Sequence, residues 1–325
     1  MFTRTLAWIA LSVCTWPLLA DDEGPTYLTP EEAGPDYVVQ GEYLGELDVN
    51  FQRGPWGAQV IALGEGKFAL VGYKGGLPGD GWKRDDHREM AEGSTTGDVT
   101  RFQADQWSAE IRDGVLTVSA AGTRPLGKLK KVERKSPTLG AKPPQGAVVL
   151  FDGSSVEHFD GAVLTPEKWL AHECSSKAVF GDHKLHIEFR PPFKPLARGQ
   201  ARGNSGVYVQ SRYEIQVLDS FGLEGENNEC GGIYSIAKPS VNMCYPPLTW
   251  QTYDIEFQAA RYANGQKVQN ARVTLVHNGV KVLDNIELPD ATPGRLAEGP
   301  DPAPLFLQGH GNPVVFRNIW VVEEK

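Results

Sequence analysis

After its first twenty residues the sequence has no apolar run long enough to cross a bilayer as a helix. Helical periodicity is nearly absent as well, with Thr165 to Ala171 the one brief candidate. Basic charge is short. The 32 Lys and Arg against 41 Asp and Glu leave a net charge of −9, which repels phosphate backbones and disfavours nucleic acid as a partner. Cysteine is scarce, four in 325 residues, and neither Cys-x-x-Cys nor His-x-x-x-His spacing occurs, so no zinc site is expected. Loop Asp, Glu and Asn residues are too many to choose among, which leaves a divalent cation undecided. What is plentiful is Gly (36) and Pro (23), scattered without period, as many short strands and tight turns require. An apolar content of 40 % is globular, and 325 residues suit two folded units. A small neutral carbohydrate suits this acidic chain better than a polyanion.

Arg4, the short apolar stretch Leu6 to Val13, and Pro17 to Ala20 before Asp21-Asp22-Glu23 read as a signal peptide over residues 1–20. The mature chain is therefore expected in the periplasm or outside the cell, with no membrane span. Loss of Cys14 leaves Cys174, Cys230 and Cys244. In an oxidising compartment this predicts one disulfide, Cys230 to Cys244, with Cys174 free. Closing that loop contributes about 3 kcal/mol in the chain-entropy model.

Residues 21–135 read as a small β domain. Ala58 to Leu63 with Lys67 to Tyr73, and Trp107 to Ile111 with Val115 to Ala120, are hairpins, and Asp36 to Tyr43 alternates weakly. The charge run Lys128 to Lys135 reads as a solvated last strand, and the Pro-bearing stretch 136–147 as a linker. Residues 148–325 hold about nine short strands, and Asn278-Gly279 is the strongest hairpin signal. The fold class predicted is all-β: a two-sheet jelly-roll sandwich preceded by a smaller β domain.

Strand alternation sorts the polar residues. In Tyr213 to Asp219, the side chains of Tyr213, Ile215 and Val217 share a core face, which sends Glu214 and Gln216 together to the other. The preceding strand does the same with Tyr208 and Gln210. Such a face suits a sugar: amides bond hydroxyls, Tyr covers a ring and a carboxylate catalyses. The competing reading is an ordinary solvated sheet face. Further on, Gln308 and His310 share a face, with Gly309 and Gly311 leaving room around the imidazole.

The segments Leu150 to Gly153, Gly203 to Tyr208, Tyr213 to Asp219, Trp250 to Tyr253, Val276 to Val280 and Leu307 to Ile319 occur in the order seen in one family. Over about Val148 to Glu323 the chain resembles the 3-keto-disaccharide hydrolases; the first unit lies outside the resemblance. The resemblance implies a concanavalin-like jelly roll, related in fold to laminarinase-type glucanases, that acts on 3-keto-glycosides in exported sugar breakdown. It gives the polar residues a chemistry. Oxidation at C3 acidifies the hydrogen on C2, a base removes it, and the glycosidic oxygen on C1 leaves by β-elimination; addition of water completes a net hydrolysis. Such a site needs a base, donors for the enolate oxygen and a donor for the leaving oxygen. The catalytic candidates are Glu214, His310 and Asp219, with either Glu214 or His310 as base. The substrate-binding candidates are Asn204, Tyr208, Gln210, Gln216, Tyr234 and Gln308. A direct glucanase mechanism needs two carboxyls roughly 5 Å apart, whereas Gln216 takes the place where the second would stand. A non-catalytic carbohydrate-binding protein remains the reading from another class, and it has no need for His310.

Overall fold

The alternating hairpins of the first half close on themselves. In the computed structural model, which describes residues 24–121, 124–171 and 173–324, eight strands form an antiparallel barrel. They are β1 (Gly41–Val49), β2 (Gln52–Gly64), β3 (Lys67–Lys74), β4 (Arg88–Thr96), β5 (Val99–Gln103), β6 (Trp107–Arg112), β7 (Val115–Ala120) and β8 (Pro125–Val132). Each strand pairs with the next and β8 pairs back with β1, so no edge is left open. The weakly alternating stretch before β1 is instead a helix, α1 (Gly34–Val39), with Pro35 in its first turn, where a missing N–H costs nothing. The predicted signal peptide lies outside the described residues. Among those described, no helix is long and apolar enough to cross a membrane.

The second half is a sandwich. Its strands are β9 (Val148–Phe151), β10 (Phe159–Asp160), β11 (Val163–Leu164), β12 (Leu170–Ala171), β13 (Cys174–Phe180), β14 (His183–Arg190), β15 (Ser205–Val209), β16 (Tyr213–Val217), β17 (Gln251–Gln258), β18 (Ala271–His277), β19 (Val280–Leu288), β20 (Ala303–Leu307) and β21 (Val315–Glu323). One sheet has the order β11-β12-β21-β14-β17-β18-β19, with β9 also on β21, and the other has the order β10-β13-β20-β15-β16. Period-two alternation builds the core between them: Ile187, Phe189, Tyr253, Ile255 and Leu275 face Val207, Val209, Ile215, Val217 and Leu307. The predicted helical candidate at 165–171 is the turn that leads into β12.

The stretch read as a linker is pinned to the outer face of the larger sheet. Thr138 Oγ1 donates to Asp254 (2.7 Å), Gly140 N to Glu188 (2.6 Å), and Asn318 Nδ2 to the Ala141 carbonyl (3.0 Å). Beneath it His186 bonds Asp254 (2.6 Å) and Arg317 bonds Glu188 (2.7 Å). Burial alone would raise the Glu188 carboxyl, but donors from His186, Asn318, Gly140 and Arg317 hold it down at about 2. The barrel packs on the sandwich as well. Ile61, Val71, Tyr73 and Trp82, from the outer wall of the barrel and the loop after β3, belong to the same apolar cluster as the sandwich core.

The disulfide expected from compartment and spacing is not formed. Cys230 and Cys244 are free and buried, as is Cys174. Cys230 Sγ sits 3.2 Å from Tyr253 Oη, and Cys244 Sγ is directed at the Leu218 carbonyl (3.4 Å). Burial pushes the Cys244 thiol up, which makes it an inert core group. Cys174 is likewise pushed up to about 12 by burial.

Candidate active site on the five-stranded sheet

Three neighbouring strands put one row of side chains across the sheet. In the register of β15 with β16, Tyr208 stands opposite Glu214, and in that of β15 with β20 it stands opposite Phe306. The row lies on the face away from the core, since Tyr213, Ile215 and Val217 occupy the core side of β16. Close approach within the row needs Gly206: a Cβ there would lie 2.5 Å from Glu214 Oε1 and 2.9 Å from the Tyr208 ring.

This face is roofed rather than open. The segment after β19 is bonded along the edge strand β16, with Glu214 N donating to Thr292 Oγ1 (2.9 Å) and Leu296 N to the Ser211 carbonyl (2.9 Å). From there it crosses the row. The Arg295 guanidinium lies 3.7 Å from the Phe306 ring centroid, and its Nη2 reaches Ser175 Oγ on β13 (3.3 Å). Gly294, at φ +110°, passes over the tyrosine; a Cβ there would lie 3.2 Å from Tyr208 Oη. As a result Glu214 is only 5 % exposed and Tyr208 1 %.

Burial dominates the electrostatics. It lifts the Glu214 carboxyl to about 7, against the opposing hydrogen bond from Tyr208. Burial and the adjacent carboxylate raise the Tyr208 phenol, which therefore stays a neutral donor. Gln308 completes the row: its Nε2 donates to Tyr208 Oη (3.4 Å), while its Oε1 is buried without a partner. Tyr234 is close by, its backbone N–H donating to the Glu214 carbonyl (3.2 Å).

The other sequence candidates lie elsewhere. Gln216 shares the Glu214 face, but its amide donates to Asn204 Oδ1 (2.7 Å) and the Ser205 carbonyl (3.0 Å), and Asn204 donates on to Gln200 (3.0 Å). This amide chain borders the row. Gln210 lies in the turn after β15, bonded to the Phe180 carbonyl (2.8 Å) and to Arg212 (3.0 Å). Asp219 is buried in an ion pair with Arg202 (2.6 Å), whose Nη1 reaches the Ala62 carbonyl of the barrel (3.2 Å). Burial raises the Asp219 carboxyl despite Arg202. His310 occupies an exposed turn and lines a cavity of about 630 Å³ together with Trp169, Arg190, Leu248 and Asn312. Glu214, Tyr208, Tyr234 and Gln308 are thus brought together, and Gln210, Asp219 and His310 are not.

Sequence reasoning missed Thr292, Gly294, Arg295 and Phe306. Phe306 was within reach of the alternation of β20. The other three sit in a stretch without period, and only the tertiary path of that stretch carries them over the sheet. Among the described residues no group of three or more His, Cys, Asp or Glu side chains is arranged to hold a metal ion.

The family model described as a 3-keto-alpha-glucoside-1,2-lyase-like domain matches residues 146–322. A solved structure from Parabacteroides distasonis ATCC 8503, named a "putative glycosyl hydrolase", is 28 % identical with a TM-score of 0.51, over 56 % of this chain and 85 % of that one. A second protein of that name and organism is 15 % identical, with a TM-score of 0.41 over 55 % of this chain and 95 % of its own. The comparison with curated proteins finds no match.

Proposed function

The chain belongs to the family of 3-keto-alpha-glucoside-1,2-lyase-like domains, and from that premise we propose that it cleaves 3-keto-glycosides outside the cytoplasm, by β-elimination and then hydration. A glycoside hydrolase-type enzyme is the coarser statement that the family and its structural neighbours support. The observation that carries the finer one is the Glu214 carboxyl, lifted to about 7 and paired with a neutral tyrosine. A base acting near neutral pH works best with such a value. A retaining glucanase would need a second carboxylate beside it. Gln216 stands next on that face, and Asp219 is bound to Arg202.

In this reading Glu214 takes the proton from C2. The electron pair forms the enolate, then the C1–C2 double bond as the C1–O bond breaks, and the leaving oxygen takes up a proton. Tyr208 donates to the enolate oxygen at O3. Gln308 Oε1, buried and unpartnered, accepts from a sugar hydroxyl. His310 lines a different cavity and is given no part in this step, so the leaving oxygen takes its proton from solvent or from the protonated Glu214.

The test uses a 3-keto-glucoside labelled with deuterium at C2. The expected outcome is a slowed reaction where proton removal limits the rate, and loss of the label to solvent. Glu214→Gln should lose at least ~10²-fold in turnover, the lower end for a general base, or about 3 kcal/mol of barrier. Retention of the C2 label at normal turnover, or full activity of Glu214→Gln, would refute the mechanism. His310→Ala should leave turnover of the same substrate nearly unchanged, because the imidazole lines a different cavity.

A further inference from the structure

The barrel lies outside the family match and has no part in the reaction proposed above. Its two ends differ. At one end α1, with Tyr37 and Val39, caps a filled interior in which Tyr43, Phe68 and Phe102 are buried. Toward the other end the inward positions carry small residues, Ala58 on β2, Gly72 on β3 and Ala109 on β6, and the interior is hollow. The cavity measures about 220 Å³ and is walled by Trp56, Trp107, Leu70 and Leu116. Eight strands make a barrel just wide enough to be filled by side chains or to hold one small ligand, and small inward residues decide for the second. Dry apolar cavities of about 150 Å³ bind a benzene ring, so this one takes a single substituted ring.

The polar residues of the cavity lining are Asn50, Glu89, Gln106 and Arg124. Glu89 on β4 lines the cavity, accepting from Trp107 Nε1 (3.0 Å) and bonded to His87 (2.8 Å). A fixed carboxylate at the edge of an apolar wall selects a ligand that carries a donor. The rim adds an aromatic ring beside the mouth. Asn50 and Arg124 line the mouth, and next to Asn50 the β1–β2 hairpin tip places Phe51 at φ +61°, a conformation bulky residues rarely adopt. Phe51 is 89 % exposed there, beneath the Arg124 guanidinium at 5.2 Å. Asn50 and Phe51 both have positive φ, as a two-residue hairpin turn between Val49 and Gln52 requires, and that turn carries the exposed ring to the mouth.

We propose that the barrel binds a small single-ring aromatic molecule with a hydroxyl or similar donor, its ring between Trp56 and Trp107 and its donor directed at Glu89. The probe is p-cresol, titrated into the full chain by calorimetry and by NMR. Expected are saturable one-to-one binding and contacts from the ring protons to the methyl groups of Leu70, Leu116 and Val118. Ala109→Leu and, separately, Ala58→Leu fill the space and should weaken p-cresol by roughly tenfold or more, a loss of about 1.4 kcal/mol, while leaving C2 proton exchange unchanged. If neither variant folds, the methyl contacts in the unaltered protein decide. Absence of saturable binding, absence of those contacts, or unchanged affinity in a folded filled variant would each overturn the proposal. Binding abolished by Glu214→Gln would also overturn it, since the ligand would then sit on the sandwich.

Discussion

Glu214 shows how one buried side chain sets both chemistry and stability. Its carboxyl has an ordinary value of 4.5 and a folded value of about 7, so the folded state holds the proton more tightly than the unfolded chain. Ionising it therefore costs stability, beginning as pH rises past 4.5 and complete above 7. The difference corresponds to about 3 kcal/mol. The stability of Glu214→Gln relative to the parent should accordingly improve by that order between pH 4 and pH 8, as measured by urea unfolding at both. A constant difference would mean that the carboxyl is not held near neutrality. The same substitution removes the proposed base, so one residue should trade activity against stability, as buried functional groups do.

At the scale of elements, two irregular segments matter as much as the strands. The first is the strap after β19, which closes over the Tyr208–Phe306 row and passes tightly over Tyr208 at Gly294. The second is the stretch between barrel and sandwich, which Glu188 anchors through Gly140 N while also pairing with Arg317. The Glu188 carboxyl is held at about 2, below its ordinary value of 4.5. Its contribution is therefore present above pH 4.5 and is lost as pH falls toward 2. Glu188→Ala leaves His186, Arg317 and the Gly140 amide without their shared acceptor. We expect a loss of about 3–5 kcal/mol in stability at pH 7 and faster hydrogen exchange at Gly140. Unchanged exchange there would show that the segment is held by other bonds.

For the molecule as a whole, the seam between barrel and sandwich decides how it unfolds. Ile61, Val71, Tyr73 and Trp82 share the sandwich cluster, and Arg202 ties Asp219 to the Ala62 carbonyl across the seam. The two halves should therefore melt in one transition by calorimetry. Arg202→Ala, which leaves Asp219 buried and unpaired, should lower that single transition by several degrees; two separate transitions in the parent protein would contradict the shared core. The period-two pattern by itself determined the strands and which face each side chain takes, because alternation is local and a one-residue slip would expose the core. That was enough to read the jelly roll and to put Tyr208, Glu214 and Gln216 on one face. The sequence also suggested what the structure rearranged. His310 and Gln308 share parity, but the chain turns after Leu307 and the imidazole goes to another cavity. Asp219 follows the same motif as Glu214, yet Arg202 claims it. Spacing suggested a disulfide, yet each thiol has its own partner. Closure of the barrel, the strap over Glu214 and the pinned connector depend on segments distant in the chain and without period. Only the tertiary structure decided them, because the contacts that hold them join residues with no local pattern to announce their pairing.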